Sequence, residues 1–126
     1  MNNDTPLHRQ VHPNWVVAGG VSSQAFMPTR KDQGLLSTYN GDMISPLDSF
    51  EHYTTTLGLR SAGVMDVTVE ECRELQLPVY QDPQPDFDEH TVIDFTGLSR
   101  RIRERKADSL RTSANRRGWI LSATAL

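Results

Sequence analysis

The stretch Gly63-Val64-Met65-Asp66-Val67-Thr68-Val69-Glu70-Glu71 passes from strand to helix with no linker between them. Its β-branched and apolar residues suit an interior strand, although Asp66 interrupts the run. Thr68-Val69-Glu70-Glu71 has the form of a capping box, in which a hydroxyl and a carboxylate three residues apart satisfy backbone donors at a helix start. A short helix over 69–76 follows. Pro78 ends it, because the residue before a proline avoids helical backbone.

Upstream, Ser45-Pro46-Leu47-Asp48 is the clearest helix start in the chain. Serine caps, proline tolerates the first helical position, and aspartate suits the positive end of the dipole. Leu47, Phe50, Tyr53 and Leu57 then fall at helical spacing, so the pattern predicts a helix over 46–57 with an apolar stripe that stops at Gly58. Before it, Leu35–Tyr39 reads as a strand closed by the Asn40-Gly41 turn, and 30–34 as a polar turn. Asn14–Ala18 and Val21–Met27, separated by Gly19-Gly20, suggest a hairpin of two strands. Residues 7–12 alternate as a strand should, with Leu7, Arg9 and Val11 on one face and His8, Gln10 and His12 on the other.

Downstream, 79–89 carries Pro83, Pro85 and four acids and reads as a loop, while His90–Phe95 resumes a strand. From Ser99 to about Ser113, and with its basic run to 117, the chain has strong helix formers but a thin apolar stripe of Leu98, Ile102 and Leu110. Trp119-Ile120-Leu121 reads as a last strand. The expected fold is a single small α+β domain over 1–126, with a small mixed or antiparallel sheet and about three helices.

Composition narrows the function classes. Cys72 is the single cysteine of 126 residues, which excludes an intrachain disulfide and any zinc site built on Cys pairs. No run approaches the roughly 20 apolar residues of a membrane span, and the first residues lack the basic and apolar regions of a signal peptide. The expectation is therefore an intracellular, cytoplasmic protein with no membrane partner.

The net charge of −3 conceals a strong segregation. Residues 1–99 carry 5 basic and 14 acidic residues, whereas 100–117 carry 8 basic and 2 acidic ones. The basic group is Arg100, Arg101, Arg103, Arg105, Lys106, Arg111, Arg116 and Arg117. These arginines cannot share one face of a 3.6-residue helix, so they surround it. The expected function is accordingly that of a non-enzymatic accessory protein, which binds a protein partner through this helix and Trp119. Nucleic acid is a third reading, disfavoured by the sequence pI of about 5.7. The bland alternative is internal pairing with the acids at 82–89 or with Glu70, Glu71 and Glu74.

Other chemistry finds little support. His8 and His12 lie roughly 13 Å apart on a strand, too far for one metal ion, and read as surface histidines. The acids at 82–89 lack the glycine of an EF-hand loop, so no metal is expected. There is no Gly-x-Ser-x-Gly elbow, Walker loop or dinucleotide glycine pattern, and acidic neighbours disfavour a Cys72 thiolate.

One constellation remains. Arg9 shares the apolar face of its strand and needs an anion, either an internal carboxylate such as Asp66 or Asp94, or the phosphate or carboxylate of a ligand. Ser22-Ser23-Gln24 and Ser37-Thr38-Tyr39 offer hydroxyls and a ring nearby. An arginine on the first strand, a serine-rich second strand and a tyrosine-bearing third resemble the opening of ADP-ribosyltransferase-type folds. That resemblance covers about a third of the chain and rests on single residues. It implies NAD as cofactor, cleavage of its nicotinamide glycosidic bond, and a cleft of Arg9, Ser23 and Tyr39 with Glu51 as the carboxylate.

Overall fold

Side-chain alternation on the first strand sorts the whole molecule into two faces. In the computed structural model, which describes residues 1–126, β1 (Pro6–Gln10) precedes a short hairpin of β2 (Val16–Val17) and β3 (Gly20–Val21). Then come β4 (Leu35–Asn40), α1 (Pro46–Glu51), β5 (Gly63–Thr68) and α2 (Val69–Glu74), followed by β6 (Val79–Gln81), β7 (His90–Asp94), α3 (Arg100–Arg117) and β8 (Trp119–Ser122). Six strands form one antiparallel sheet in the order β6-β7-β4-β1-β5-β8. The fold is small α+β, as the sequence predicts. No helix is long and apolar enough to cross a membrane.

Leu7 and Val11 join Leu36, Met65, Val67 and Ile93 in one buried cluster, which Ala107, Leu110 and Ala114 of α3 close from above. The opposite face is polar. There His8, Gln10 and Asp66 are buried beneath the segment that leads into α1: Gln10 Nε2 donates to Ser49 Oγ at 3.0 Å, and His8 Nε2 to Ile44 O at 3.1 Å. Buried polar groups of this kind are tolerated because each has a partner. The capping box at Thr68 and Glu71 is present in both directions, so β5 does run directly into α2.

Four local expectations are corrected. Residues 23–26 form a 3-10 turn instead of a strand, because a turn lets the neighbours Ala25 and Phe26 both face the core, which strand alternation forbids. The hairpin is therefore only two residues long on each side. Residues 79–81 are a strand and not loop, since an edge strand needs one partner only, and β7 supplies it. The helix at 46 stops at Glu51 and continues as a π turn over His52–Thr56. That extra residue breaks the stripe: Leu47 and Leu57 are exposed, and Ser49 is the buried residue of α1. Finally, His8 is not a surface residue. It is buried and donates from Nδ1 to Asp66 Oδ1 at 2.6 Å.

Candidate functional site

β1 pairs unequally with its two neighbours. It runs in register with β5 from Pro6↔Thr68 to Gln10↔Val64, yet meets β4 only at Leu7↔Asn40 and His8↔Tyr39. Past that point the strands diverge, and backbone carbonyls that a ladder would use need other donors. Arg9 reaches into the gap, with Nη1 donating to Ser37 O of β4 at 2.9 Å and Nε to Ala25 O of the 3-10 turn at 2.7 Å. Its guanidinium also lies 5.3 Å from the Trp15 ring centroid, within cation–π range.

A cavity of ≈ 370 Å³ occupies the wedge, large enough for a small organic ligand. Arg9 and Gln10 face it from β1, and Ser37, Thr38 and Tyr39 from β4. Trp15, Tyr53 and Phe87 add three aromatic rings. Phe87 is itself packed among Tyr39, His52 and His90 in tilted and edge-on contacts, with ring centroids 4.8, 4.6 and 5.0 Å away. The Tyr39 hydroxyl lies 2.7 Å from His52 Nδ1, and burial pushes its phenol well above the usual range, so it stays protonated. His90 Nε2 lies 3.0 Å from Ser37 Oγ, and its Nδ1 faces the Asp82 backbone oxygen at 2.9 Å.

The charge on Arg9 has no carboxylate counterpart. The ion pairs of the chain join other residues, and Asp66 and Asp94, the expected partners, bond His8 and the Thr96 backbone instead. Burial lowers the Arg9 pKa, and Tyr53 and then Asp32 act in the opposite direction; a guanidinium remains charged all the same. Asp32 is the one carboxylate on the cavity wall, and its Oδ2 accepts from the Thr29 amide at 2.7 Å and hydroxyl at 2.8 Å. Two of five guanidinium N–H groups are committed to carbonyls, which leaves three for a ligand.

Of the cleft residues implied by the ADP-ribosyltransferase resemblance, Arg9 and Tyr39 line the cavity. Ser23 and Glu51 do not. Ser23 lies on the 3-10 turn, and Glu51 is exposed at the end of α1. Sequence reasoning missed Trp15, Tyr53 and Phe87. Tyr53 reads as part of a core stripe and Phe87 as loop, and only the long-range pairing of β4 with both β1 and β7 brings them together.

The arginine-rich helix divides its charges. Arg100 pairs with Glu104 at 3.0 Å and Arg111 with Asp108 at 2.6 Å. Arg117 grips Glu71 through both Nη atoms, at 3.1 and 3.0 Å, and also donates to Asp66 O at 2.8 Å. Burial alone would raise the Glu71 pKa, but the hydrogen bonds from Arg117 and Thr68 hold it below the usual range. Arg103 Nε caps Leu98 O at 3.0 Å. Arg101, Arg105 and Arg116 are exposed with no carboxylate at ion-pair distance. Trp119, expected beside them, packs against the core. Cys72 is buried, and burial with the nearby Glu71 charge pushes its thiol up to about 12, which leaves it inert.

No family model matches the sequence, and no curated protein or solved structure matches it either.

Proposed function

We propose that the protein binds a small ligand combining a flat ring with an acidic group, held in the wedge between β1 and β4. One observation carries this reading: the Arg9 guanidinium is fixed by two carbonyls, lacks a carboxylate, and faces a cavity walled by aromatic rings. Uncompensated charge in a partly buried site is costly, and an incoming phosphate or carboxylate relieves it through charge-assisted hydrogen bonds. Nucleotides, NAD included, carry both features. The reading stops at binding, because Glu51 is outside the cavity and Asp32 is engaged by Thr29. A ligand present at a hundred times its Kd stabilises the fold by about 2.7 kcal/mol. Thermal melts with millimolar NAD or nucleoside monophosphates should therefore rise for the parent chain and not for Arg9→Ala. Equal melts with and without every one of these compounds would remove the proposal.

A second reading rests on Arg101, Arg105 and Arg116, the exposed arginines of α3 without a carboxylate partner. On it the protein is an accessory factor whose helix docks on an acidic protein partner, with nucleic acid as the alternative polyanion. Ala107, Leu110 and Ala114 belong to the core, so deleting α3 would unfold the chain; reversing exposed charges is the cleaner test. If the Arg101→Glu, Arg105→Glu double variant captures the same partners, this reading is wrong. Retention on nucleic acid that weakens steeply with salt would favour the polynucleotide version.

A further inference from the structure

A second basic cleft adjoins the cavity. Arg30, Arg100 and Arg103 surround a polar space of ≈ 520 Å³ between the turn at 30–32, Gly34 and the first turn of α3. No carboxylate lines it. Arg30 has no ion-pair partner, and Arg103 spends Nε on the Leu98 carbonyl while its Nη2 remains beside Gly34. The start of α3 sharpens the anomaly. Helix N-termini carry partial positive charge and favour acids, yet the first turn here has none and begins Arg100-Arg101. Arg100 shares its charge with Glu104 at 3.0 Å, but Arg30 and Arg103 have no carboxylate, so the cleft holds more positive charge than its neighbours neutralise, and a multiply charged anion offsets the excess.

Thr29 lines both this cleft and the cavity of Arg9, so the two spaces lie on either side of one short turn. We infer that they are two subsites for one ligand, a nucleoside 5′-diphosphate or a larger nucleotide built on one. The base stacks in the aromatic cavity, the first phosphate meets Arg9, and the second lies among Arg30, Arg100 and Arg103. This inference rests on the cavity reading above, which it extends by naming the ligand class. Phosphate suits the cleft better than carboxylate, since three separate guanidinium groups need an anion with several acceptor oxygens and more than one charge.

Calorimetric titration with the monophosphates and diphosphates of adenosine, guanosine, cytidine and uridine, and with inorganic pyrophosphate, tests it. For at least one base the diphosphate should bind about tenfold or more tightly than the monophosphate, in line with charge-assisted hydrogen bonds. The Arg30→Ala, Arg100→Ala double variant removes two exposed side chains and should keep the parent melting temperature. It should bring that diphosphate down to the monophosphate affinity and leave the monophosphate unchanged. Monophosphate and diphosphate binding with equal affinity would overturn the second subsite while leaving the cavity reading intact. Diphosphate and pyrophosphate binding alike, with no monophosphate binding, would show a free-standing anion cleft and overturn both the joint ligand and the cavity reading. Binding by none of the eight nucleotides overturns both as well.

Discussion

Burying a histidine beside a carboxylate is costly unless each proton and lone pair finds a partner, and His8 and Asp66 meet that condition. Both imidazole nitrogens face oxygen acceptors, Asp66 Oδ1 at 2.6 Å and Ile44 O at 3.1 Å, which a ring donating from both nitrogens satisfies. Breaking such a pair leaves its other half buried and uncompensated. Asp66→Asn should therefore lower the free energy of unfolding by about 3 kcal/mol in urea denaturation. A loss near zero would show that the pair holds nothing in place. The Glu71–Arg117 contact makes a different prediction, about pH. Glu71 has a lower pKa folded than unfolded, so its stabilisation is fully present above the unfolded value of about 4.3 and fades as pH falls through the folded value. The stability gap between the parent and Glu71→Gln should be widest near pH 6 and close on acidification toward pH 3. A gap independent of pH would mean that the charge on Glu71 is not what Arg117 stabilises.

Elements bounded by local chemistry were the legible ones. The hydroxyl and carboxylate of Thr68 and Glu71 act within one turn, so four residues suffice to place the start of α2. The same holds for α1, where Ser45 caps the Asp48 amide at 3.1 Å. Where the outcome depended on distant packing, the sequence was silent: Ala25 and Phe26 abandon strand geometry because α3 lies over them, and the π turn after Glu51 turns His52 toward Tyr39. The cavity belongs to this second kind. Arg9 and Tyr39 could be singled out from alternation and residue type, but the wedge exists only because β1 follows β5 and leaves β4 after two pairs. Gly63, at the head of β5, is held to glycine by the return of β8. Its φ is +150°, and an added Cβ would lie 2.3 Å from Leu121 O and 3.0 Å from the Trp119 ring. Gly63→Ala should thus displace β8, cost about 2 kcal/mol or more, and shift Trp119 fluorescence toward that of an exposed indole. An unchanged spectrum with parent stability would show that β8 is not held there.

The sign segregation read from the sequence survives folding, but only in part as unpaired charge. Arg100, Arg111 and Arg117 find carboxylates, and Ala107, Leu110 and Ala114 turn the inner face of α3 into core. Among the exposed arginines left without a carboxylate, Arg101 and Arg105 are four residues apart and therefore neighbours on one helix face. Like charges at that spacing oppose the helix, and Arg101 also lies in the first turn, where the dipole disfavours a cation. A chain under pressure from stability alone gains by exchanging it. Arg101→Glu replaces the repulsion with an attraction to Arg105 in the better orientation and places an acid at the positive end of the helix, with Glu104 offsetting part of the gain. The net expectation is a stabilisation of about 0.5 kcal/mol in low salt, shrinking as salt screens it, read from urea midpoints at two ionic strengths. If the same substitution also weakens capture of an acidic partner or nucleotide, the arginine is kept for recognition at the expense of the fold. If Arg101→Glu destabilises the protein instead, the basic face has an internal role, and the docking reading of α3 loses its footing.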